Sequence, residues 1–231
     1  WFAKGTSRLS PTPPVALIFF GPPGAGKGTQ AAIYAKLHGL EHLSTGDLFR
    51  ANLKNETPVG LLAKGFMSRG VLVPDEVVCQ MVREHLLAQE NGFGGFILDG
   101  FPRTLDQART LSKDLDRMNR PLTGVISFEI PMELLLERLT GRLTCRSCGS
   151  IFHKKNRAPA VAGRCDRCGG ELYTRADDTE EACRERLRVY DRETRPCLDY
   201  FRGEGVPVWE LDANRAVEDV TLALENVLGG R

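Results

Sequence analysis

Six consecutive apolar residues, Val15–Phe20 (VALIFF), run directly into a glycine loop, GPPGAGKGT, at Gly21–Thr29. A short unbroken apolar run bounded by glycine reads as a strand buried on both faces. Gly21, Gly26 and Lys27 then meet the spacing G-x4-G-K. Glycines let backbone N–H groups turn inward around phosphate oxygens, and the helix that follows adds its positive dipole end. Lys27 would put a point charge on the outer phosphates. No Asp or Glu occurs before Glu41, so the local field favours an anion. A plain glycine turn is the competing reading, and the strand–loop–helix context argues against it.

The rest of the chain repeats the strand–helix rhythm. Leu40–Ser44, Gly95–Gly100, Gly124–Ile130 and Val206–Asp212 read as further strands. Helical spacing covers Gln30–Leu37, Asp47–Lys54, Pro58–Arg69, Asp75–Gln89, Leu105–Met118, Met132–Arg142 and Val217–Leu228. Buried strands alternating with helices predict βαβ units: an α/β, three-layer sandwich around a central five-stranded parallel sheet. Two stretches interrupt it. Residues 44–73 read as a helical insertion. Residues 143–179 hold four cysteines, many glycines and no long amphipathic helix. The predicted core is 15–43, 74–142 and 180–231, with 1–14 a disordered tail that lacks the apolar centre of a secretory leader.

The cysteines of the second insertion are Cys145-x2-Cys148-x16-Cys165-x2-Cys168. Two CxxC pairs at this distance fit a four-thiolate zinc site, each pair supplying two ligands. Four sulfurs close the tetrahedron, so the site would be structural. Reduced free thiols are the alternative. Paired CxxC motifs without a secretory leader also point to a reducing compartment. Zinc would stand in for a core that so short an insertion cannot build. His153 lies between the pairs and reads as a surface or near-nucleotide residue. Cys79, Cys183 and Cys197 sit singly in helical patterns and read as small apolar residues.

Lysine plus arginine is 31 and aspartate plus glutamate 30, a balance that argues against a general polyanion binder. Basic residues nevertheless concentrate in motifs. DGFPRT (Asp99–Thr104) lies at the C-terminal end of a predicted strand, where open α/β sheets place ligands. Arg138 and Arg142 are four apart and are expected on one helix face. Arg175 and Arg186 flank the far end of the cysteine insertion.

The loop departs from the general phosphate-binding pattern, which has Ser or Thr directly after the lysine. Here Gly28 intervenes and the hydroxyl is on Thr29. GxPGxGKGTQ is the form found in nucleoside monophosphate kinases. Together with STGDLFR (Ser44–Arg50), GVLVPDE (Gly70–Glu76), DGFPRT, ERLTGR (Glu137–Arg142) and TRADD (Thr174–Asp178), it makes the chain resemble the adenylate kinase family, of the long-lid zinc-containing type. The resemblance runs from about Val15 to Leu228.

That resemblance implies a cytoplasmic, monomeric transferase for ATP, AMP and ADP that touches neither nucleic acid nor membrane. It implies reversible magnesium-dependent transfer of the γ-phosphoryl group of ATP to AMP. Gly24, Ala25, Gly26, Lys27, Gly28 and Thr29 would cradle ATP, with Arg142, Ile151, Phe152 and the backbone at Arg215. Thr45, Arg50, the Val71, Leu72 and Val73 backbone, Gly100, Phe101, Pro102 and Arg103 would hold AMP, and Gln107 would read its base. Lys27, Arg103, Arg138, Arg142, Arg175 and Arg186 would gather the transferring phosphate, the last two also touching AMP. Asp99 would hold Mg²⁺ through water. The cysteine insertion would be a lid that excludes water; the adenylate kinase lid is itself a standard instance of such closure. An acceptor phosphate is already ionised at neutral pH, so the transfer needs positioning and charge neutralisation rather than a general base.

Three other readings compete with this one. A GTP-dependent AMP kinase or other nucleoside monophosphate kinase differs only in its base pockets. A zinc-ribbon nucleic-acid binder would want interleaved aromatics, and Phe152 and Tyr173 are thin support. A catalytically dead nucleotide sensor conflicts with the filled charged motifs.

Overall fold

The computed structural model describes residues 15–88 and 95–229; the predicted disordered tail lies outside them. In chain order the elements are β1 (Val15–Phe20), α1 (Lys27–His38), β2 (Glu41–Ser44), α2 (Thr45–Lys54), α3 (Pro58–Arg69) and α4 (Asp75–Ala88). Next come β3 (Gly95–Asp99), α5 (Leu105–Arg117), β4 (Gly124–Glu129) and α6 (Met132–Thr140). The cysteine insertion contributes β5 (Arg142–Cys145), β6 (Ile151–His153) and β7 (Leu172–Tyr173). The chain closes with α7 (Glu180–Val189), α8 (Cys197–Gly203), β8 (Val208–Asp212) and α9 (Val217–Leu228).

The main sheet is five-stranded, in the order β2-β3-β1-β4-β8. Every pairing in it is parallel. β1 is the centre, and its alternate residues feed opposite faces. Ala16, Ile18 and Phe20 pack with Val78, Val82, Leu111 and Phe201 on one side. Leu17 and Phe19 pack with Ala31, Tyr34, Phe128 and Leu224 on the other. A strand buried on both faces needs an unbroken apolar run, which is why VALIFF has no polar position. Because strands lie to both sides of β1, the loops after β1 and β3 open a crevice at the carboxyl ends of the sheet, where such folds bind ligands.

The first insertion is a tight helix pair. α2 and α3 approach so closely at Gly60 that an added Cβ would fall 2.3 Å from the backbone carbonyl carbon of Asn52. Both helices start on hydroxyl caps: Ser44 Oγ accepts from Asp47 N, and Thr57 Oγ1 from Gly60 N.

The second insertion carries a three-stranded antiparallel sheet, β6-β5-β7, which periodicity did not show because its strands are two to four residues long. Two sequence expectations are corrected here. Arg138 and Arg142 do not share a helix: α6 ends at Thr140, Gly141 caps it, and Arg142 opens β5. His153 is no surface group. It is buried, its Nε2 sits 3.1 Å from Glu137 O, and its Nδ1 accepts from the Lys155 and Asn156 amides. It ties the insertion to the end of α6. Helix α7, the helical pattern around Cys183, has no clear bounds in sequence because its run EEACRERLRV buries only Ala182, Cys183 and Val189.

Candidate functional site

The phosphate loop is built as its spacing demands. Gly24 and Gly26 adopt φ of 90° and 91°, a left-handed conformation that side chains resist. α1 begins at Lys27 with no acidic residue in its first turn. The Lys27 ammonium folds back over the loop and donates to Gly21 O at 2.7 Å and Pro22 O at 2.8 Å. Burial lowers its pKa to about 8; Asp99 opposes that shift, while Arg103, Arg186 and Arg142 reinforce it. Gly28 has a local reason: a Cβ there would lie 3.0 Å from Asp99 Oδ2. Burial pushes the Asp99 carboxyl up, but a His42 hydrogen bond (3.4 Å) and Lys27 outweigh it and hold the group below the ordinary carboxylate range. Ala25 differs from its neighbours: its side chain packs into the core, and its N–H is used on Pro22 O at 3.2 Å.

Cations converge from several elements on the space beside this loop. Arg103, at the end of the β3 loop, donates from Nε to Gly100 O at 2.7 Å. Burial lowers its pKa to about 10, helped by Arg186. Arg175 donates from Nε to Thr144 Oγ1 at 2.9 Å and is likewise lowered to about 10 by burial, then by Arg142 and Arg50. Both stay charged at neutral pH. Each rests on a neutral oxygen, so its charge is not consumed by a bidentate carboxylate.

The remaining arginines are held by acids or carbonyls. Arg142 makes a two-point contact with Asp178, through Nε at 2.8 Å and through Nη2. Arg186 reaches Asp177 Oδ2 at 2.9 Å and Asp178 Oδ1 at 3.2 Å. Arg50 pairs with Asp47 at 2.6 Å, and Arg138 donates to Ala213 O at 3.2 Å. These contacts fix long side chains before any ligand arrives, which lowers the ordering cost of binding.

All of this faces one cleft of about 1770 Å³. A single drug-sized ligand occupies roughly 300–1,000 Å³, so the cleft accommodates more than one nucleotide. Gly24, Gly26, Lys27, Gly28 and Thr29 line it. Thr45, Arg50, Val71, Leu72, Val73, Gly100, Phe101, Pro102 and Gln107 line it as well. Asp99, Arg103, Arg138, Arg142, Arg175 and Arg186 lie on its walls. Ile151 and Phe152 border it from β6, although the Phe152 ring is 5% exposed and packs in the insertion's own core. Arg215 reaches the rim, paired with Asp212 at 2.8 Å. Two positioning groups escaped the sequence reading, Thr144 under Arg175 and His42 beside Asp99. Each is a polar residue whose partner is far away in sequence, so spacing carries no trace of it.

The four cysteines gather as the spacing predicted. Their sulfurs all lie within 4.8 Å of one another. Cys145 and Cys168 are 3.5 Å apart, and Cys148 and Cys165 3.6 Å. Tetrahedral thiolates at about 2.3 Å from zinc stand roughly 3.8 Å apart, so the donor set fits the ion. The two knuckles repeat one turn. Gly149 N donates to Cys145 O and Gly169 N to Cys165 O, with both glycines at φ 72°.

A parallel sheet with a glycine loop after its central strand, facing an arginine-lined cleft large enough for two nucleotides, defines a P-loop phosphotransferase of the nucleoside monophosphate kinase class. Residues 19–206 match the family model described as adenylate kinase. Adenylate kinase of Carboxydothermus hydrogenoformans is 50% identical over 212 residues, covering 92% of this chain and 98% of the relative. Those of Caldicellulosiruptor bescii and Clostridium tetani are 48% and 43% identical, covering 83% and 92% of this chain and 89% and 98% of the relatives. The chain belongs to the adenylate kinase family and is a nucleoside monophosphate kinase that phosphorylates AMP.

Proposed function

We propose that the chain seats ATP on the phosphate loop and AMP against α2, α3 and the β3 loop, and passes the γ-phosphoryl group directly between them. The observation that carries this reading is that Lys27, Arg103, Arg142, Arg175 and Arg186 line one cleft together with the phosphate-loop glycines, Thr45 and Gln107. Loop amides and Lys27 hold the donor phosphates. Thr45, Arg50, the Val71–Val73 backbone and Arg103 hold the acceptor, with Gln107 against its base. Arg138, Arg142, Arg175 and Arg186 neutralise charge on the moving group. The relatives do not favour the GTP-using alternative.

Magnesium supplies charge neutralisation on the phosphate oxygens when bound. Asp99 is the residue fitted to hold it through water, being a hard oxygen donor kept ionised by His42 and Lys27. Zinc on the four cysteines would be structural, and the insertion it staples would close over ATP. The same reading has the enzyme work as a monomer in the cytoplasm, the paired CxxC motifs pointing to a reducing compartment. Among the described residues no helix is long and apolar enough to cross a membrane.

A coupled assay of ATP with AMP, GMP, CMP and UMP tests the reading. AMP is expected to be the strongly preferred acceptor, with little ATP hydrolysis in its absence. Turnover led by another acceptor, or hydrolysis without one, would overturn it. Lys27 adds a pH prediction. Its ammonium is charged below about 8 and loses its proton above. ATP binding favours the charged form, so kcat/KM for ATP should fall as pH rises through about 8. A Lys27→Met variant should bind ATP weakly, with that pH dependence removed.

A further inference from the structure

The buried amide of Gln107 is held at both ends. Its residue is 1% exposed and lies on the cleft wall. Oε1 accepts from the Arg103 backbone N–H at 2.8 Å. Nε2 donates to Asp75 Oδ1 at 2.7 Å. The other carboxylate oxygen, Oδ2, accepts from Thr104 Oγ1 at 2.6 Å, and the same hydroxyl accepts from Gln107 N at 3.1 Å. Asp75 opens α4, whereas Thr104 caps α5. The three side chains therefore form a closed network between two helices.

The identity of each partner decides which way the amide points. A carboxylate only accepts, so the group facing Asp75 must be the NH₂. A backbone N–H only donates, so the group facing Arg103 must be the carbonyl. A reversed amide would set oxygen against carboxylate and NH₂ against N–H, leaving two buried groups unsatisfied. An amide oxygen has two lone pairs and an amide nitrogen two protons. After these contacts each end keeps one bonding direction for a ligand.

We propose that Asp75 is a positioning residue that fixes the Gln107 amide in the orientation suited to a 6-amino purine. Adenine offers a 6-amino donor and a ring N1 acceptor. Gln107 answers with Oε1 for the donor and Nε2 for the acceptor. A 6-oxo purine offers a carbonyl at position 6 and a protonated N1, the reverse pattern, which only a flipped amide could match. Discrimination between the two then lies in the carboxylate behind the amide as well as in the glutamine itself. This inference rests on the reading that Gln107 faces the acceptor's base.

The test compares AMP with inosine monophosphate, which carries the 6-oxo group, as acceptors for the whole enzyme. Asp75→Ala removes the anchor on Nε2 and leaves only the Arg103 N–H to oppose a flip. The AMP-to-IMP ratio of kcat/KM should fall about tenfold, the scale of one charge-assisted hydrogen bond, while KM for ATP stays put. Asp75→Asn keeps an acceptor toward Nε2 if its NH₂ turns to the Thr104 hydroxyl, so it should restore most of the ratio. Should the alanine variant fail to fold, the near-isosteric Asp75→Leu is read in the same way. Gln107→Leu separates the two layers. If it leaves the ratio unchanged, Gln107 does not face the base. If it collapses the ratio while Asp75→Ala and Asp75→Leu do not, the positioning role is overturned.

Discussion

Arg103→Ala is expected to lower turnover by about a thousandfold, the range in which a single preorganised cation acts on a transferring phosphoryl group. The melting temperature should move little. Arg103 is buried, crowded by Arg186 and Arg50, and held through Nε by Gly100 O. Its pKa is driven down to about 10 by that burial and crowding. Removing it relieves like-charge repulsion in the folded state, which offsets the lost hydrogen bond. Steady-state kinetics beside a thermal melt check both halves. Near-normal turnover in a folded variant would remove Arg103 from the proposed machinery, and collapse of the fold would recast it as a structural residue.

Stripping the zinc proposed for the four cysteines should unfold the insertion and spare the sheet. The insertion's apolar cluster among the described residues is small: Cys145, Phe152, Cys165 and Leu172, with Leu143 and Cys148 beside them. Two of its four buried members are themselves the proposed ligands, so little remains to hold the fold without an ion. Limited proteolysis should then cut within residues 143–173. Nucleotide binding to the phosphate loop should persist, because β1 and α1 belong to the separate core around Phe19 and Tyr34. Turnover should fall about a hundredfold or more, since Arg142 opens the insertion's first strand and Arg175 leans on that strand's Thr144. Unchanged protease resistance after complete metal removal would sink the structural role. A Cys145→Ser/Cys168→Ser double variant should reproduce the chelator result without added reagent.

Much of this was legible beforehand because single-residue constraints are local. VALIFF announces a strand buried on both faces, and the loop after it needs glycines and a lysine at fixed intervals. Two CxxC pairs likewise declare their own geometry, since the knuckle turn is completed within a few residues of each pair. Pro58–Arg69 and Val217–Leu228 were bounded correctly because each carries amphipathic spacing and a clear stop.

What escaped depends on contacts across the chain. Arg142 was expected to extend α6, since ERLTGR continues the helical spacing. The helix instead ends at Thr140 with Gly141 as its cap, where an added Cβ would fall 2.2 Å from His153 Nε2 on a strand further along. The surface reading of His153 fails for the same reason: its partners are a helix end and a turn. Short strands β5, β6 and β7 leave too few residues for a period. Thr144 and Asp75 look like any polar residue in sequence, and only packing reveals that each braces a functional side chain.

The contact between the first helix and the third strand of the main sheet has a consequence for how this loop can change over time. With Asp99 Oδ2 only 3.0 Å from where a Cβ on residue 28 would stand, the commoner hydroxyl-bearing version of the loop asks the Asp99 carboxylate to give by a few tenths of an ångström. Serine at that place would press on an ionised oxygen unless the strand's own acid withdrew. Two positions some seventy residues apart are thereby coupled through one contact, and the room for a side chain at the first depends on the rotamer of the acid at the second.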